Sequence, residues 1–352
     1  MKSSSFLMGI LFCVLASIFF SFRRDENLDR LAAIISTKAA WADQKTVKFS
    51  EEITLGTAAL DREDYVFAVI RDIEIDEDGC IYVLDGKNCR IQKFSKEGLY
   101  LGTIGKGKGQ GPGELQRPMR MALGPTKTLY VGDYDRSAVL IFNRDGDYIS
   151  SVPIEPYFGD IAVDRRGNFF VTRFSNQGEY GVSAYDVGTG KNIGRFCPNR
   201  KDLFLSGETP QLAVDDEGNI LCSLYYPYDI YKYSPAGKLL LRFARRANTE
   251  PPRKNEMGTL FVPWSSLSLA VFPDGKILNV TRHLSREGQK YKVSFTFDIF
   301  SKDGRWLLSA PPDSLKNDWL RIVRIGPDGR LYLDYSEPYP HIKRFAVTIV
   351  NR

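Results

Sequence analysis

The sequence predicts an all-β fold: a six-bladed β-propeller of four-stranded antiparallel blades. Three observations predict it. A turn of the form Asp-x-x-Gly or Pro-Asp-Gly recurs, each time followed by a short apolar strand: Asp76 to Gly79, Asp164 to Gly167, Asp215 to Gly218, Pro273 to Gly275 and Pro327 to Gly329, with a degenerate copy at Gly124 to Lys127. The intervals from Gly79 to Gly329 average 50 residues, and most copies carry a second glycine turn further on, at Gly98, Gly146, Gly190, Gly237 and Gly304. A single meander of this kind leaves both faces of its sheet uncovered, so it is stable only when stacked on copies of itself.

Taken in order, the chain opens with Lys2 and a predominantly apolar run, Phe6 to Phe22, of 17 residues that Arg23 and Arg24 close. The run is long for the core of a signal peptide and short for a comfortable membrane span, so residues 1–22 read as a signal anchor, with a cleaved signal peptide as the alternative. The small-x-small pattern Ala40-Trp41-Ala42 lies too far downstream for cleavage behind that run. Residues 23–45 form a spacer in which Leu28, Leu31, Ala32 and Ile35 recur at helical spacing. The propeller then occupies residues 46–352. Its first segment, Thr46 to Leu55, is the missing outer strand of the sixth blade, which closes the ring and removes an open sheet edge.

The first blade is the most regular: a strand around Asp72, the turn at Gly79, Ile81 to Leu84, a polar loop at Asp85 to Asn88, Arg90 to Phe94, and Tyr100 to Ile104. In each turn the Asp side chain accepts backbone hydrogen bonds and the glycine supplies a positive φ. The glycine run Gly105 to Gly113 is an inter-blade turn. A phosphate-binding loop needs Ser or Thr after Gly-Lys and then a helix, and Pro112 prevents that helix.

Two stretches carry a family resemblance. Gly109-Gln110-Gly111-Pro112-Gly113-Glu114-Leu115, then Pro118 and Leu129-Tyr130-Val131-Gly132-Asp133, repeat a pattern that Asp85 to Phe94 shows one blade earlier. The sequence resembles NHL-repeat type six-bladed β-propellers. That resemblance implies a binding scaffold, whereas related six-bladed propellers also include calcium-dependent lactonases and peptide-amide lyases. Fold alone does not choose between binding and catalysis.

Composition narrows the choice. A net charge of +5 from 48 basic and 43 acidic residues is too balanced for a nucleic-acid binder. The cysteines Cys13, Cys80, Cys89, Cys197 and Cys222 include no CxxC pair, which argues against a thiolate metal site. They read as small buried hydrophobes, with a Cys197 to Cys222 disulfide open in an oxidising compartment. The chain has only 2 histidines: His341 at a strand start reads as structural, and His283 as a solvated loop residue beside Arg282.

Strand direction assigns the site. If the innermost strand of each blade ends at the Asp-x-x-Gly turn, the opposite face collects the long insertions and the polar, aromatic loops, where function usually sits. Five residues before each turn position stand Glu74, Ala122, Ala162, Ala213, Ala270 and Arg324. Small residues suit the crowded axis, and the opposite charges on blades 1 and 6 predict a Glu74–Arg324 ion pair. Seven residues before stand Asp72, Arg120, Asp160, Gln211, Ser268 and Ile322, a polar mouth to the channel.

The expected ligand-binding residues are Asp72, Arg120, Asp160, Gln211, Tyr134, Arg136, Tyr226, Arg282, His283 and Arg321, flanked on the same face by Arg71, Arg173, Tyr225, Tyr228 and Trp319. Arg and aromatic side chains are enriched where binding energy concentrates. The expected function is an exported, membrane-anchored binding propeller that holds a protein, peptide or glycan partner without a cofactor. The alternative is a calcium-dependent lactonase or lyase with Asp72, Asp160 and Gln211 as oxygen donors, which Arg120 between the two aspartates opposes.

Overall fold

The computed structural model describes residues 33–351 apart from 43, 174–179, 199–208, 225–227, 247–252, 255–259, 263, 288–289, 311–314 and 316–319. The expected signal anchor therefore lies outside the described residues, as do Tyr225, Tyr226 and Trp319. Among the described residues no helix is long and apolar enough to cross a membrane.

Six four-stranded antiparallel sheets form the blades. Blade 1 runs Ile70–Ile75, Ile81–Asp85, Arg90–Phe94 and Tyr100–Ile104; blade 2 runs Pro118–Leu123, Leu129–Asp133, Ala138–Phe142 and Tyr148–Pro153. Blade 3 runs Phe158–Val163, Phe169–Arg173, Tyr180–Tyr185 and Asn192–Pro198, and blade 4 runs Gln211–Val214, Ile220–Ser223, Ile230–Tyr233 and Leu239–Arg245. Blade 5 has Trp264–Val271, Ile277–Glu287, Lys290–Phe300 and Trp306–Ala310. Blade 6 combines Val323–Ile325, Leu331–Tyr335 and His341–Asn351 with the early strand Lys45–Leu55, so the two ends of the propeller share one sheet. The first strands of neighbouring blades contact one another all round the axis, including blade 6 with blade 1.

The turns work as their chemistry dictates. One oxygen each of Asp76, Asp164 and Asp215 accepts backbone N–H bonds from the residues two and four positions ahead, at 2.8 to 3.0 Å. Gly79, Gly167 and Gly218 sit at φ 82 to 84°, a region that a side chain would strain. Blade 2, lacking the motif, turns through Pro125–Lys127 with Thr126 at φ 56° and Lys127 at φ 60°. Lys127 then reaches back to Asp76 and Asp78 of blade 1.

Apolar packing lies between blades rather than within them. Leu84, Ile91 and Ile104 of blade 1 form one cluster with Met121, Val131 and Leu140 of blade 2, and similar clusters join blades 2 with 3, 4 with 5, 5 with 6 and 6 with 1. Every second strand is therefore covered on both faces, which is why Ile81–Asp85, Leu129–Asp133 and Leu331–Tyr335 are buried at every position.

One expectation fails before the ring begins. Ile35 belongs to a strand, Ile34–Ser36, which adds in parallel to the outer strand of blade 4; Leu28, Leu31 and Ala32 lie outside the described residues. Its backbone bonds an open sheet edge, which outcompetes a helix too short to be stable by itself.

Candidate binding site at the channel mouth

The axis is narrow where the turn-proximal ring lies. Glu74, Ala122, Ala162, Ala213, Ala270 and Arg324 all line one central cavity of about 210 Å³. Arg324 Nε stands 3.1 Å from Glu74 Oε1, and its Nη2 stands 2.6 Å from Asp72 Oδ1. One guanidinium thus faces two carboxyl groups. Loss of water raises both carboxyls against the pull of Arg324, Glu74 to about 8. Asp72 also accepts the N–H of Ile73 at 2.9 Å and of Met121 at 3.0 Å. Those backbone donors favour the charged form of Asp72, a support that Glu74 lacks, and Glu74, raised to about 8, holds a proton at neutral pH.

The ring one pleat nearer the loop face does a different job from the one its sequence suggests. Asp72 of blade 1 takes the Met121 N–H of blade 2; Asp160 of blade 3 takes the Leu212 N–H of blade 4 at 2.8 Å; Ser268 of blade 5 donates to the Val323 carbonyl of blade 6 at 3.2 Å. Alternate blades are stitched to the next by a short polar side chain. Asp72 and Asp160 are only 1% and 3% exposed, so they do not present free oxygens at the mouth. Gln211 turns its amide to the Thr209 carbonyl.

What remains available is basic. Arg120 donates to the Met119 and Arg71 carbonyls, with its Nε 3.8 Å from Asp160 Oδ1. Arg71 lies near Arg117, Arg120 and Arg321, and burial together with those three charges holds its guanidinium below the usual arginine range. Among the described residues Arg71 makes no ion pair. Its stem packs over Gly86, where a Cβ would come within 2.3 Å of Arg71 Cγ, so the glycine is needed to let it pass. Arg321, 45% exposed, is half-spent on Asp334 at 3.0 Å.

Around this cluster the second strands end in a repeated device that site-by-site reading of the sequence missed. Asp85, Asp133 and Asp334 are fully buried and accept the backbone N–H groups of the segments entering their own blades: Ala68 and Val69, Gln116 and Arg117, Arg321 and Ile322. The signal is a tyrosine earlier in the same strand: Tyr82 and Tyr130 lie three residues before Asp85 and Asp133, and Tyr332 two before Asp334. These carboxylates hold Arg117 and Arg321 where they stand.

Other expected site residues are spent internally. Arg136 donates to the Gly111 and Glu114 carbonyls, and Glu114 accepts the Gly111 N–H at 2.7 Å. The glycine run therefore wraps its own carboxylate, which is why it offers no anion cradle. Tyr134 is half-buried, with the Arg117 guanidinium 4.1 Å from its ring centroid and Tyr157 packed edge-on. Arg173 pairs with Glu155 at 2.5 Å.

The blade 4–5 seam corrects three expectations. His283 is not a solvated loop residue; it lies inside Ile277–Glu287, half-buried, with Nε2 2.9 Å from Thr296 Oγ1. Burial and the nearby Arg245 hold its pKa below the ordinary histidine value. Arg282 is likewise in that strand rather than in a loop, opposite Ser265 and Phe295. Tyr228 is 4% exposed and donates to Asp298, which also receives Arg245, Thr281 and Ser309. A fully buried aspartate in the apolar stretch Phe295 to Phe300 has to be paired this way. His341, 5% exposed, stacks on Tyr335 and bonds the Tyr339 carbonyl.

A larger cavity, about 630 Å³, is on the opposite face between blades 6 and 1, among Glu77, Asp78, Lys96, Asp328, Arg330 and Arg344. Its two arginines share Glu52 at 2.6 and 2.9 Å, so its charge is neutralised from within the blade. The basic cluster at the mouth lacks that compensation at Arg71, and it is the stronger candidate.

Comparison with known proteins agrees with this architecture. A family model, DUF5128, described as a 6-bladed beta-propeller, matches residues 23–245. No curated protein sequence matches the chain. Among solved structures, a Bacteroides fragilis "Putative exported protein" aligns with a TM-score of 0.61 at 16% identity over 91% of this chain and 99% of its own. A member of the DUF4221 family from Bacteroides vulgatus gives 0.60 at 10% over 87% and 99%. A catalytically inactive virginiamycin B lyase from Staphylococcus aureus gives 0.53 at 8% over 86% and 99%. At these identities the likeness is one of fold.

Proposed function

Because the chain belongs to the DUF5128 family of 6-bladed beta-propellers, we propose that it is an exported binding propeller, anchored by its N-terminal segment, whose loop face holds an anionic group of a protein, peptide or glycan partner. The site is the mouth where blades 6, 1 and 2 meet. One observation carries the reading: Arg71 feels the charges of Arg117, Arg120 and Arg321, each of which has a carboxylate partner, while Arg71 has none among the described residues. Like charges held together this way repel, and an anion bound there relieves the repulsion.

Export is supported by the apolar run Phe6 to Phe22 and by the name of the Bacteroides fragilis relative in fold. The glycine run and the aspartate-ended strands of blades 1 and 2 favour an NHL-type assignment. The calcium-dependent alternative is the weaker reading, because the oxygens of Asp72 and Asp160 already accept backbone and arginine bonds. Those residues do not fit a calcium site.

The test is a pull-down from the native envelope fraction with the full chain and with Arg71→Glu, Arg120→Glu and, on the turn face, Lys238→Glu. Partners lost with both mouth variants and kept with Lys238→Glu support the site. Partners kept by all three, or lost by all three, overturn it.

A further inference from the structure

The last strand of blade 3 and the second strand of blade 4 bring Cys197 Sγ and Cys222 Sγ to 2.8 Å. Non-bonded heavy atoms settle roughly 3.5–4.0 Å apart, so these sulfurs are inside contact distance. A disulfide requires them to close by roughly a further 0.8 Å, within reach of a small side-chain rotation. Cys197 also adopts φ 65°, the left-handed region that a non-glycine residue enters only when its surroundings hold it there. Both side chains are buried, and among the described residues Cys80 and Cys89 have no such sulfur neighbour; Cys89 instead donates to the Gly86 and Gln116 carbonyls.

We propose that Cys197 and Cys222 form a disulfide that joins blade 3 covalently to blade 4. It rests on the exported reading above for its oxidising compartment. The bond encloses residues 198–221, which include the first strand of blade 4, Gln211–Val214, and so ties the outer strand of blade 3 to the second strand of blade 4.

The oxidant is a dithiol-disulfide oxidase of the envelope. One cysteine thiolate attacks the oxidant's disulfide and expels one of its thiolates, giving a mixed disulfide. The second cysteine thiolate attacks the first cysteine's sulfur and expels the oxidant's other thiolate. Two protons leave the cysteines, two electrons pass to the oxidant, and one Sγ–Sγ bond forms. Burial pushes the Cys222 thiol far above its ordinary range in the folded ring, so the exchange takes place before the blades close over it.

The experiment has two arms, with cell fractionation alongside. Full-length protein from the envelope is denatured and alkylated without reductant, then peptide-mapped. The expected result is that Cys80 and Cys89 are labelled, while Cys197 and Cys222 are unlabelled and recovered as a cross-linked peptide pair two hydrogens lighter than the reduced pair. Reduction should lower the melting temperature by on the order of 5 °C, and the Cys197→Ser/Cys222→Ser double variant should be insensitive to reductant. In the second arm the reduced protein is refolded in a glutathione redox buffer, where the same pair should form whatever the native compartment. Failure of the refolding arm overturns the geometric basis of the bond. Free Cys197 and Cys222 in protein that fractionates with the envelope overturn the disulfide while leaving export intact. Free thiols in protein found in the cytoplasm, with a successful refolding arm, overturn it through the failure of export itself.

Discussion

Arg324 of the last blade stands 2.6 Å from Asp72 of the first. The two residues are 252 positions apart, and their contact lies where the ring closes, next to the 3.1 Å approach of Arg324 to Glu74. The closure is thus hydrogen-bonded through the shared blade 6 sheet at the rim and electrostatic at the axis.

The roles in this trio are unequal. Arg324→Ala leaves Asp72 and Glu74 buried without their cation, which should cost about 3–5 kcal/mol. Glu74→Ala removes a group that holds its proton and should cost less. Urea unfolding of both variants checks the order; a Glu74 variant that loses as much as the Arg324 variant would contradict the assignment of the proton.

The same assignment fixes a pH dependence. Glu74 carries a folded pKa of about 8 against an ordinary value of 4.5. The folded state therefore binds a proton that the unfolded state has released across that window. Its stabilising contribution is complete below the lower value and is lost as pH rises through about 8, with a slope of at most about 1.4 kcal/mol per pH unit. Glu74→Gln keeps a neutral group there and should flatten the decline between pH 5 and 8, so parallel wild-type and variant curves over that range would refute it.

Asp133 links stability to the site. It accepts the N–H groups of Gln116 at 2.6 Å, Arg117 at 3.1 Å and Arg136 at 3.3 Å while fully buried. Asp133→Ala strands these donors and should cost roughly 3 kcal/mol. It should also release the segment that carries Arg117, so hydrogen exchange at Gln116 and Arg117 should accelerate more than at the Val131 core amide. Uniform acceleration would mean that the side chain is not a local clamp.

How much of this was legible depended on whether a residue's partner was local in sequence. The Asp76 and Asp164 turns declared themselves because their partners lie two and four residues ahead. The positions of Asp72 and Asp160 around the axis could be counted from the turn glycines, but not their roles: the backbone donors they satisfy, the N–H groups of Met121 and Leu212, come from the next blade. His283 and Tyr228 were misplaced because the strand Ile277–Glu287 continues past the expected loop, and because Asp298, the partner of Tyr228, is 70 residues away. Ile35 at helical spacing gave no hint of strand pairing, since the edge it meets belongs to blade 4.

That edge leads to the last prediction. The segment from Ile34 to Ala42 belts two blades before it enters a third. Ile34, Ile35 and Ser36 pair with Phe243, Ala244 and Arg245 of blade 4. Ser36 Oγ then accepts the Trp306 N–H of blade 5 at 3.2 Å, while Ala40 and Trp41 donate to the Trp306 and Leu307 carbonyls at 3.0 and 2.8 Å. Trp41 packs on the cluster between blades 5 and 6, and Lys45 Nζ stands 4.1 Å from its ring centroid. Cleavage at Ala40-Trp41-Ala42 would cut this belt, and the buried Ala39 and paired amides on either side protect it. Beginning the chain at residue 44 keeps all six four-stranded blades yet removes the belt, so the melting temperature should fall relative to a chain beginning at 33. Beginning at 57 removes the fourth strand of blade 6 as well and uncovers its third strand, His341–Asn351, so cooperative unfolding should be lost. Equal melting temperatures for the chains beginning at 33 and 44 would show that the belt is passive; a cooperative transition in the chain beginning at 57 would show that Lys45–Leu55 does not close the ring.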